Sequence, residues 1–361
     1  MRRATGRFFW LAFAAEALLY SAKMKTYVPV ALFTYKRLAF TQATVEALRA
    51  NPEAAETELF VFSDGPKTEA DGAAVEAVRA YVRTVTGFKR VTFHDSPVNK
   101  GLSRSIIDGV SQMVEAYGRV IVMEDDLVSS PYFLRYMNAA LQRYEQADEV
   151  GAVVGGLWFG FQNRHLTTPM PETYFIRGSG WLGWGTWKRA WAHFEKDGSA
   201  LLRALEERQL THEFSFNDTS EYTQMLQAQI DGKNDSWAIR WQASLFLKGK
   251  LTLHPGVSHI LHIGYDANAT HCNATHARQR PQTPVWRPTE VAAIPLCELP
   301  EHRKAFEDCF AVHSDGFFLQ KLRRGNRREL VFFRRLMLAY TRTATHRKRG
   351  KLSRFTLTWR H

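Results

Sequence analysis

Short apolar runs alternate with longer amphipathic stretches from Tyr27 onward, which is the pattern of a βαβ protein. The apolar runs predict strands at Val28–Phe33, Glu58–Phe62, Arg90–Phe93, Arg119–Met123, Val150–Val154 and Leu251–Leu253. The amphipathic stretches predict helices at Thr41–Ala50, Ala73–Val85, Asn99–Tyr117, Tyr132–Tyr144, Glu221–Gln229 and Ser236–Leu247. Strands that are apolar on both faces are typical of parallel sheets. The pattern therefore predicts an α/β fold, with a mostly parallel central sheet and helices on both faces.

The pattern becomes less regular after residue 170, where Gly and Trp are frequent. Six of the ten tryptophans lie between Trp181 and Trp241. The first four of these six follow one another at three- and four-residue intervals, which is more typical of core packing than of a binding platform. Gly178 and Gly180 indicate a close backbone approach just before them, so Trp181 is a candidate for lining a binding pocket.

The basic charge is concentrated at the C-terminus. The chain carries a net charge of +12, but fourteen Lys and Arg residues against Glu329 alone lie between Lys321 and His361. The net charge of the other 320 residues is therefore about −1. No aromatic-interleaved motif supports nucleic-acid binding. Apolar stretches within the tail, notably Leu330–Phe333, instead favour a basic helical extension that lies on an anionic membrane surface, with a merely solvated helix as the alternative.

Three segments are predicted along the chain. Residues 1–25 are interpreted as a mistaken upstream start or an amphipathic surface helix, rather than a cleaved signal. Residues 26–300 form the main domain, and residues 301–361 form the basic C-terminal extension. The three cysteines, Cys272, Cys297 and Cys309, form no close pair, which favours a reducing compartment. The expected location is cytoplasmic, with peripheral attachment to the inner face of the membrane.

An acidic triplet carries the sharpest chemical signal. Glu124, Asp125 and Asp126 come directly after a buried strand, and in open α/β sheets ligands bind beyond the carboxyl ends of the strands. Adjacent carboxylates repel one another unless a cation neutralises them. A divalent ion that bridges to a diphosphate would meet that need. The alternative is an ordinary exposed acidic turn.

Five segments, in order over residues 28–265, resemble N-acetylglucosaminyltransferase I and related bacterial family 2-like sugar transferases of the GT-A fold. They are Val30–Arg37, Phe62–Gly65, Val120–Leu127, Phe175–Trp191, and Asn234–Trp237 followed by Arg240. The resemblance implies a glycosyltransferase that moves a sugar, with N-acetylglucosamine as a candidate, from a UDP-sugar donor to a saccharide or lipid-linked glycan. It also implies a role in surface polysaccharide or glycolipid synthesis.

The resemblance further implies roles for the acids. Asp126 corresponds to the direct ligand of Mn²⁺ or Mg²⁺. Asp125 and Glu124 would hydrogen-bond the ribose and the transferred sugar. Asp235 corresponds to the catalytic base of an inverting transfer, although a carboxylate at the start of a helix is also a good N-cap.

The nucleotide is expected to contact the ends of neighbouring strands. Thr34 ends the first strand, Asp64 would accept a hydrogen bond from the base, and Arg37 would clamp the base or a phosphate. Asn99 and Gly101 would offer backbone N–H groups to an anion at a helix N-terminus, or serve as a local cap and turn.

Three further interpretations stay open. His262 and His271 resemble polar residues that some GT-A enzymes bring to the metal or diphosphate, but ordinary partly buried histidines are favoured. A nucleotidyltransferase of similar fold is a rival function, although its Gly-rich loop is missing after the first strand, at Thr34–Arg37. A non-catalytic protein that binds UDP or glycans is the third reading.

Overall fold

The computed structural model describes residues 27–157, 170–264 and 286–311. Up to Cys309 these residues belong to one compact unit. The predictions for residues 1–25, for His271 and for the tail beyond residue 311 lie outside the described ranges, and the domain boundary predicted at residue 300 stays a prediction.

Within the described ranges the chain builds an eight-stranded sheet, a two-stranded ribbon and helices. The strands are β1 (Val30–Thr34), β2 (Glu58–Ser63), β3 (Arg90–Asp95), β4 (Arg119–Glu124), β5 (Leu127–Ser129), β6 (Val150–Val154), β7 (Thr173–Arg177), β8 (Trp184–Trp187), β9 (Leu251–Pro255) and β10 (Ile260–His262). The α-helices are α1 (Leu38–Arg49), α2 (Gly72–Val82), α3 (Leu102–Tyr117), α4 (Phe133–Arg143), α5 (Lys188–Trp191), α6 (Gly198–Glu207), α7 (Thr211–Phe214), α8 (Tyr222–Ile230) and α9 (Trp237–Leu247). Short 3₁₀ turns cover Pro52–Glu56 and Glu69–Asp71, and the backbone is helical again over 300–311. No helix among these residues has the length and apolar character needed to cross a bilayer.

The sheet has the strand order β3-β2-β1-β4-β8-β6-β9-β7. Strands β3, β2, β1 and β4 are parallel to one another, and β6 pairs in parallel with β9, whereas β8 and β7 run antiparallel to their neighbours. The predicted α/β fold with a mostly parallel sheet is confirmed. Because strands β1 and β4 are adjacent and parallel, their carboxyl ends open on the same rim of the sheet.

The two central strands are buried because their sequences are apolar on both faces. All five residues of β1 and the four middle residues of β4 are buried. Helix α3 packs closely against β1 at Gly109, where a Cβ atom would lie 2.7 Å from the Phe33 ring. The helix ends at Gly118, whose φ of 76° is the left-handed conformation that favours glycine.

The second half of the sheet corrects the sequence prediction. The region after residue 170 contains strands β7 and β8, neither of which was predicted, because glycine and tryptophan obscure the alternation. Trp184, Trp187 and Trp191 are buried in the main core, and Trp184 stacks on Trp237 with ring centroids 5.2 Å apart. Core packing, rather than a binding platform, therefore explains these tryptophans.

A small antiparallel ribbon lies beyond the end of β4. Strand β10 pairs with β5, with His262 opposite Leu127 and Ile260 opposite Ser129. This pairing brings a segment more than 130 residues away in sequence directly beside the acidic triplet.

Gly109→Ala should destabilise the fold by about 1–3 kcal/mol, because the new methyl group overpacks against a buried ring. Phe33 cannot turn aside easily, since it stacks on Phe62 with centroids 5.0 Å apart. Urea unfolding would measure the change. Gly72→Ala is the matched control, because a Cβ at Gly72 meets nothing within 4 Å. Equal stability of the Gly109 and Gly72 variants would contradict this packing account.

Candidate active site

The acidic triplet lies at the carboxyl rim of the sheet, as predicted. Glu124 is the last residue of β4 and pairs with Phe33 of β1. Asp125 and Asp126 form the turn that follows, and both are buried, with relative exposures of 6% and 9%. The alternative of an exposed acidic turn is therefore wrong.

Arg37 compensates the charge of this turn. Its Nη2 atom lies 2.9 Å from Asp125 Oδ1 and 2.6 Å from Asp126 Oδ2, so a single nitrogen bridges two carboxylates. The guanidinium also lies over the Phe40 ring, 4.9 Å from its centroid. Burial opposes the charged form of Arg37, but the two carboxylates raise its pKa above the ordinary value. The alternative of an exposed arginine at a helix start is excluded, since Arg37 is half-buried and paired.

Three hydrogen bonds fix the backbone and one side chain of the turn. The Tyr35 N–H donates to Asp125 Oδ2 at 3.4 Å, and the Thr44 hydroxyl donates to the Asp125 carbonyl at 2.9 Å. The Ile263 N–H donates to the Asp126 carbonyl at 2.9 Å. The turn is therefore held from the β1–α1 side and from the β10 side at once.

His262 and Gly264 complete the surroundings of Asp126. His262 Nε2 lies 3.3 Å from Asp126 Oδ2. A Cβ atom at Gly264 would lie 2.1 Å from the same oxygen, so a side chain there would displace the carboxylate. His262 was treated in sequence as an ordinary histidine; the structure instead places it in contact with the predicted metal ligand.

The three acids have different pKa values because their surroundings differ. Burial, with the charges of Asp126 and Asp125, raises the pKa of Glu124 to about 8. Burial raises the pKa of Asp125 to about 6, although Arg37 opposes that rise. Burial also acts on Asp126, but the bonds from His262 and Arg37 outweigh it and hold its pKa below the ordinary value. The turn therefore holds more negative charge than it stabilises well, and Asp126 is its most persistent anion.

Asp64, Asn99 and Gly101 come together at the end of β2. Asp64 Oδ1 accepts from the N–H groups of Gly65 and Lys100, at 2.9 and 2.8 Å. Asp64 Oδ2 accepts from the Gly101 N–H at 2.9 Å and from the Asn99 amide at 3.2 Å. A carboxylate has about four acceptor positions, so reading a nucleotide base requires Asp64 to give up one of these bonds. The base-reading role stays a prediction.

Thr34 joins the two groups of residues. Its carbonyl accepts from the Asp64 N–H at 3.1 Å, and the next residue, Tyr35, contacts Asp125. The Thr34 hydroxyl is buried and has no hydrogen-bond partner. An unsatisfied buried hydroxyl costs free energy, and at this rim it is a natural contact for a bound ligand.

Asp235 lies beside the start of α3. Its side chain is 68% exposed, and its Oδ1 lies 3.0 Å from Nη2 of the buried Arg240. The same Nη2 atom donates to the Ser103 hydroxyl at 2.6 Å. Ser236, not Asp235, caps α9, because the Ser236 side chain accepts from the Ile239 N–H. The alternative that Asp235 is merely the N-cap is therefore wrong by one residue.

Two other predicted residues have local explanations. Gly101, not Asn99, is the N-cap residue of α3, and its φ of 77° favours glycine. Trp181 is partly buried, and its ring lies against Tyr222 with centroids 6.0 Å apart. Neither observation tests a role in ligand binding.

One comparison with known proteins covers the part of the chain that holds the acidic triplet. Residues 30–199 match the profile of glycosyl transferase family 2. This range contains β1 to β8 and the whole acidic triplet. The match indicates a family 2 glycosyltransferase domain over residues 30–199.

The other comparisons add little to this family match. No curated protein sequence matches the chain significantly. UDP-glucose pyrophosphorylase complexed with UDP-glucose is similar over 63% of this chain and 90% of that chain, with 11% identity and a TM-score of 0.30. An active-site mutant of LgtC is similar over 50% of this chain and 64% of that chain, with 13% identity and a TM-score of 0.30. Structural similarity this low carries no argument about fold or function.

The side chains of Asp126 and His262 could hold an ion that takes most of its other ligands from a phosphate. Asp126 Oδ2 and His262 Nε2 face one another at 3.3 Å. In the described parts of the chain, no three His, Cys, Asp or Glu residues are arranged as a cage for a metal ion. Mg²⁺ and similar ions are often held by one or two protein carboxylates together with substrate phosphates. Asp126 supplies one such carboxylate, with His262 beside it.

Sequence reasoning missed the residues that reach the triplet from other elements. Thr44 and Gly264 gave no signal of their own, because each contact joins segments far apart in sequence. Strand β10 is only three residues long, so the pairing that places His262 was not readable from a hydrophobic pattern.

The stability of the protein in chelator should fall as pH rises from about 4.5 to about 8. Glu124 binds its proton more tightly in the folded state than in the unfolded state, so deprotonation favours unfolding. The shift of Asp125 has the same sign, whereas that of Asp126 acts only at lower pH. The free energy of unfolding should change by on the order of 5 kcal/mol from Glu124 alone.

Chemical unfolding in chelator at several pH values would measure this slope. Glu124→Gln should flatten it and leave the protein more stable than wild type at pH 8. Glu115→Gln is the control, because that side chain is 71% exposed on α3 and should leave the slope unchanged. A slope that Glu124→Gln does not alter would contradict the charge assignment.

Proposed function

We propose that this chain transfers a sugar from a UDP-sugar donor to a saccharide hydroxyl, with inversion at the anomeric carbon and with Mn²⁺ or Mg²⁺. The observation that carries the proposal is the buried acidic turn at the joined carboxyl ends of β1 and β4, within a family 2 glycosyltransferase domain. Three consecutive acids, of which Asp125 and Asp126 are buried, are costly to the fold, and a cation with a diphosphate would offset that cost.

Donor binding uses the residues along this rim. Asp126, with His262, would hold the ion, and the ion would stabilise charge on the leaving diphosphate. Asp125 and Glu124 would accept hydrogen bonds from the ribose and the transferred sugar. The unpartnered hydroxyl of Thr34 supports a ligand contact at the end of β1.

The base and phosphates of the donor would lie toward β2 and α3. Asp64, Asn99 and Gly101 form one hydrogen-bonded group beside Thr34, so a nucleotide that reaches Thr34 also reaches them. The N-terminus of α3 favours negative charge through its backbone dipoles. Arg37 supplies a planar cation for the base or a phosphate.

Asp235 would act as the general base. Its carboxylate would take the proton of the acceptor hydroxyl as that oxygen attacks the anomeric carbon and the bond to the diphosphate breaks, with the electron pair leaving on the diphosphate. The exposure of Asp235 supports access by an acceptor, and Arg240 anchors the carboxylate beside the start of α3. Trp181 would line the sugar pocket on the acceptor side.

The acceptor class follows from the resemblance and from the charge of the tail. A saccharide or lipid-linked glycan is the proposed acceptor, and surface polysaccharide or glycolipid synthesis is the proposed setting. The basic tail would hold the enzyme against anionic lipid on the inner face of the membrane. N-acetylglucosamine is the first donor sugar to test.

Asp126→Ala should lower donor turnover by about 100-fold or more, because the ion loses its protein ligand. Chelator should have a similar effect on the wild type. The measurement is UDP release from a panel of UDP-sugars, with and without EDTA. Asp108→Ala, a half-exposed acid on α3, is the control. Turnover that survives both EDTA and Asp126→Ala would overturn the proposed chemistry.

Asp235→Asn should lower kcat by about 10²–10⁴-fold, because the variant cannot take the acceptor proton. The KM for the donor should stay close to that of wild type, since the donor lies on the acidic side of the rim. Asp231→Asn is the matched control, because Asp231 precedes the same helix but pairs with Lys233. Unchanged acceptor turnover in Asp235→Asn would remove this residue from the reaction.

The same assays separate the rival reaction. A nucleotidyltransferase would release pyrophosphate from a nucleoside triphosphate and a sugar phosphate, so a coupled pyrophosphate assay should give no signal here. Pyrophosphate release would replace the proposed function.

A further inference from the structure

The acids that would hold a metal-bound donor already have a cation in contact with them. Arg37 Nη2 bridges Asp125 Oδ1 and Asp126 Oδ2, at 2.9 and 2.6 Å. Bridging two carboxylates through one atom is the arrangement that a divalent ion would also adopt. The guanidinium therefore uses oxygens that an incoming ion requires.

This contact closes the acidic turn. The side chains of Asp125 and Asp126 are 9% and 13% exposed, and that of Arg37 is 21% exposed. Two shallow surface pockets lie elsewhere: one of about 320 Å³ lies between α6 and α8, and one of about 500 Å³ lies between β7 and the helical residues 300–308. Neither is lined by the acids.

An ion and the guanidinium cannot share the same oxygens, because like charges only a few ångströms apart repel strongly in a buried site. Arg37 nevertheless belongs to a loop end, just before α1, and carries a long side chain. A guanidinium pairs with phosphate oxygens as well as it pairs with carboxylates. A diphosphate that arrives with the ion therefore offers Arg37 a replacement partner.

We propose that Arg37 is an internal counter-ion that closes the acidic turn until the donor's diphosphate draws its guanidinium away, so that ion binding and nucleotide binding depend on one another. The proposal rests on the proposed function, because it takes Asp126 as the ligand of the ion. It adds a positioning residue that makes the empty enzyme a poor binder of free divalent ions. The site then loads ion and donor as a unit.

The test measures Mn²⁺ binding by electron paramagnetic resonance, with and without UDP, and needs no turnover. Wild type should bind Mn²⁺ weakly alone and about tenfold or more tightly with UDP. Arg37→Met should bind Mn²⁺ alone about tenfold or more tightly than wild type, because the competing cation is gone. The gain in affinity on adding UDP should shrink by the same factor, since coupling is reciprocal. Arg37→Lys, which keeps the charge, should stay near wild type.

Lys36→Met is the matched control. Lys36 is the neighbouring residue and loses the same charge, but it pairs with Asp71 rather than with the acidic turn. This variant should bind Mn²⁺ as wild type does. If Arg37→Met is too unstable to purify, Arg37→Gln provides a second uncharged variant. Glutamine is about as long as methionine and keeps a hydrogen-bond donor.

The outcomes separate the two proposals. If wild type binds Mn²⁺ with UDP, and Asp126→Asn abolishes that binding, but Arg37→Met and Arg37→Gln bind free Mn²⁺ no more tightly than wild type, the counter-ion proposal is overturned and the proposed function stands. If Mn²⁺ binds to none of the proteins even with UDP, both fall. Tight binding of free Mn²⁺ to wild type would also overturn the counter-ion proposal.

Discussion

The balance of charge at the end of β4 is the constraint on which the site depends. Three carboxylates occupy consecutive positions at the buried edge of a sheet, where repulsion and desolvation disfavour their ionised forms. Arg37 offsets part of this cost from the β1 side, and His262 does so from the β10 side. The loop after β1 and the ribbon beyond β4 are therefore held by the same acids that a donor would use.

Backbone contacts join this charged centre to the rest of the rim. The Thr34 carbonyl accepts a hydrogen bond from the Asp64 N–H, and the Asp64 side chain accepts one from the Gly101 N–H at the start of α3. Two residues farther along, the Ser103 hydroxyl accepts a hydrogen bond from Arg240, which also forms an ion pair with Asp235. Donor contacts and the proposed base therefore lie along one hydrogen-bonded path, so rigid elements rather than loops alone set their separation.

The parallel half of the fold was predictable because its signal is local. Apolar runs such as Arg119–Met123 are buried on both faces, and the carboxyl end of such a strand places a following acid at the ligand-binding rim. The other half depends on pairings that no local pattern encodes. The glycines and tryptophans around β8 obscure its alternation, and β10 is too short to be recognised. For the same reason the contacts of Arg37 and His262 with Asp126 emerged only from the structure.

The most direct test of the account is a crystal structure of the protein with UDP and Mn²⁺, in which anomalous scattering locates the ion. The account predicts an anomalous peak about 2.1 Å from an Asp126 oxygen. The ion at that peak should also contact the diphosphate, and the Arg37 guanidinium should have moved from the carboxylates to the diphosphate. A nucleotide bound away from the ends of β1 and β4, or an ion that Asp126 does not contact, would contradict it.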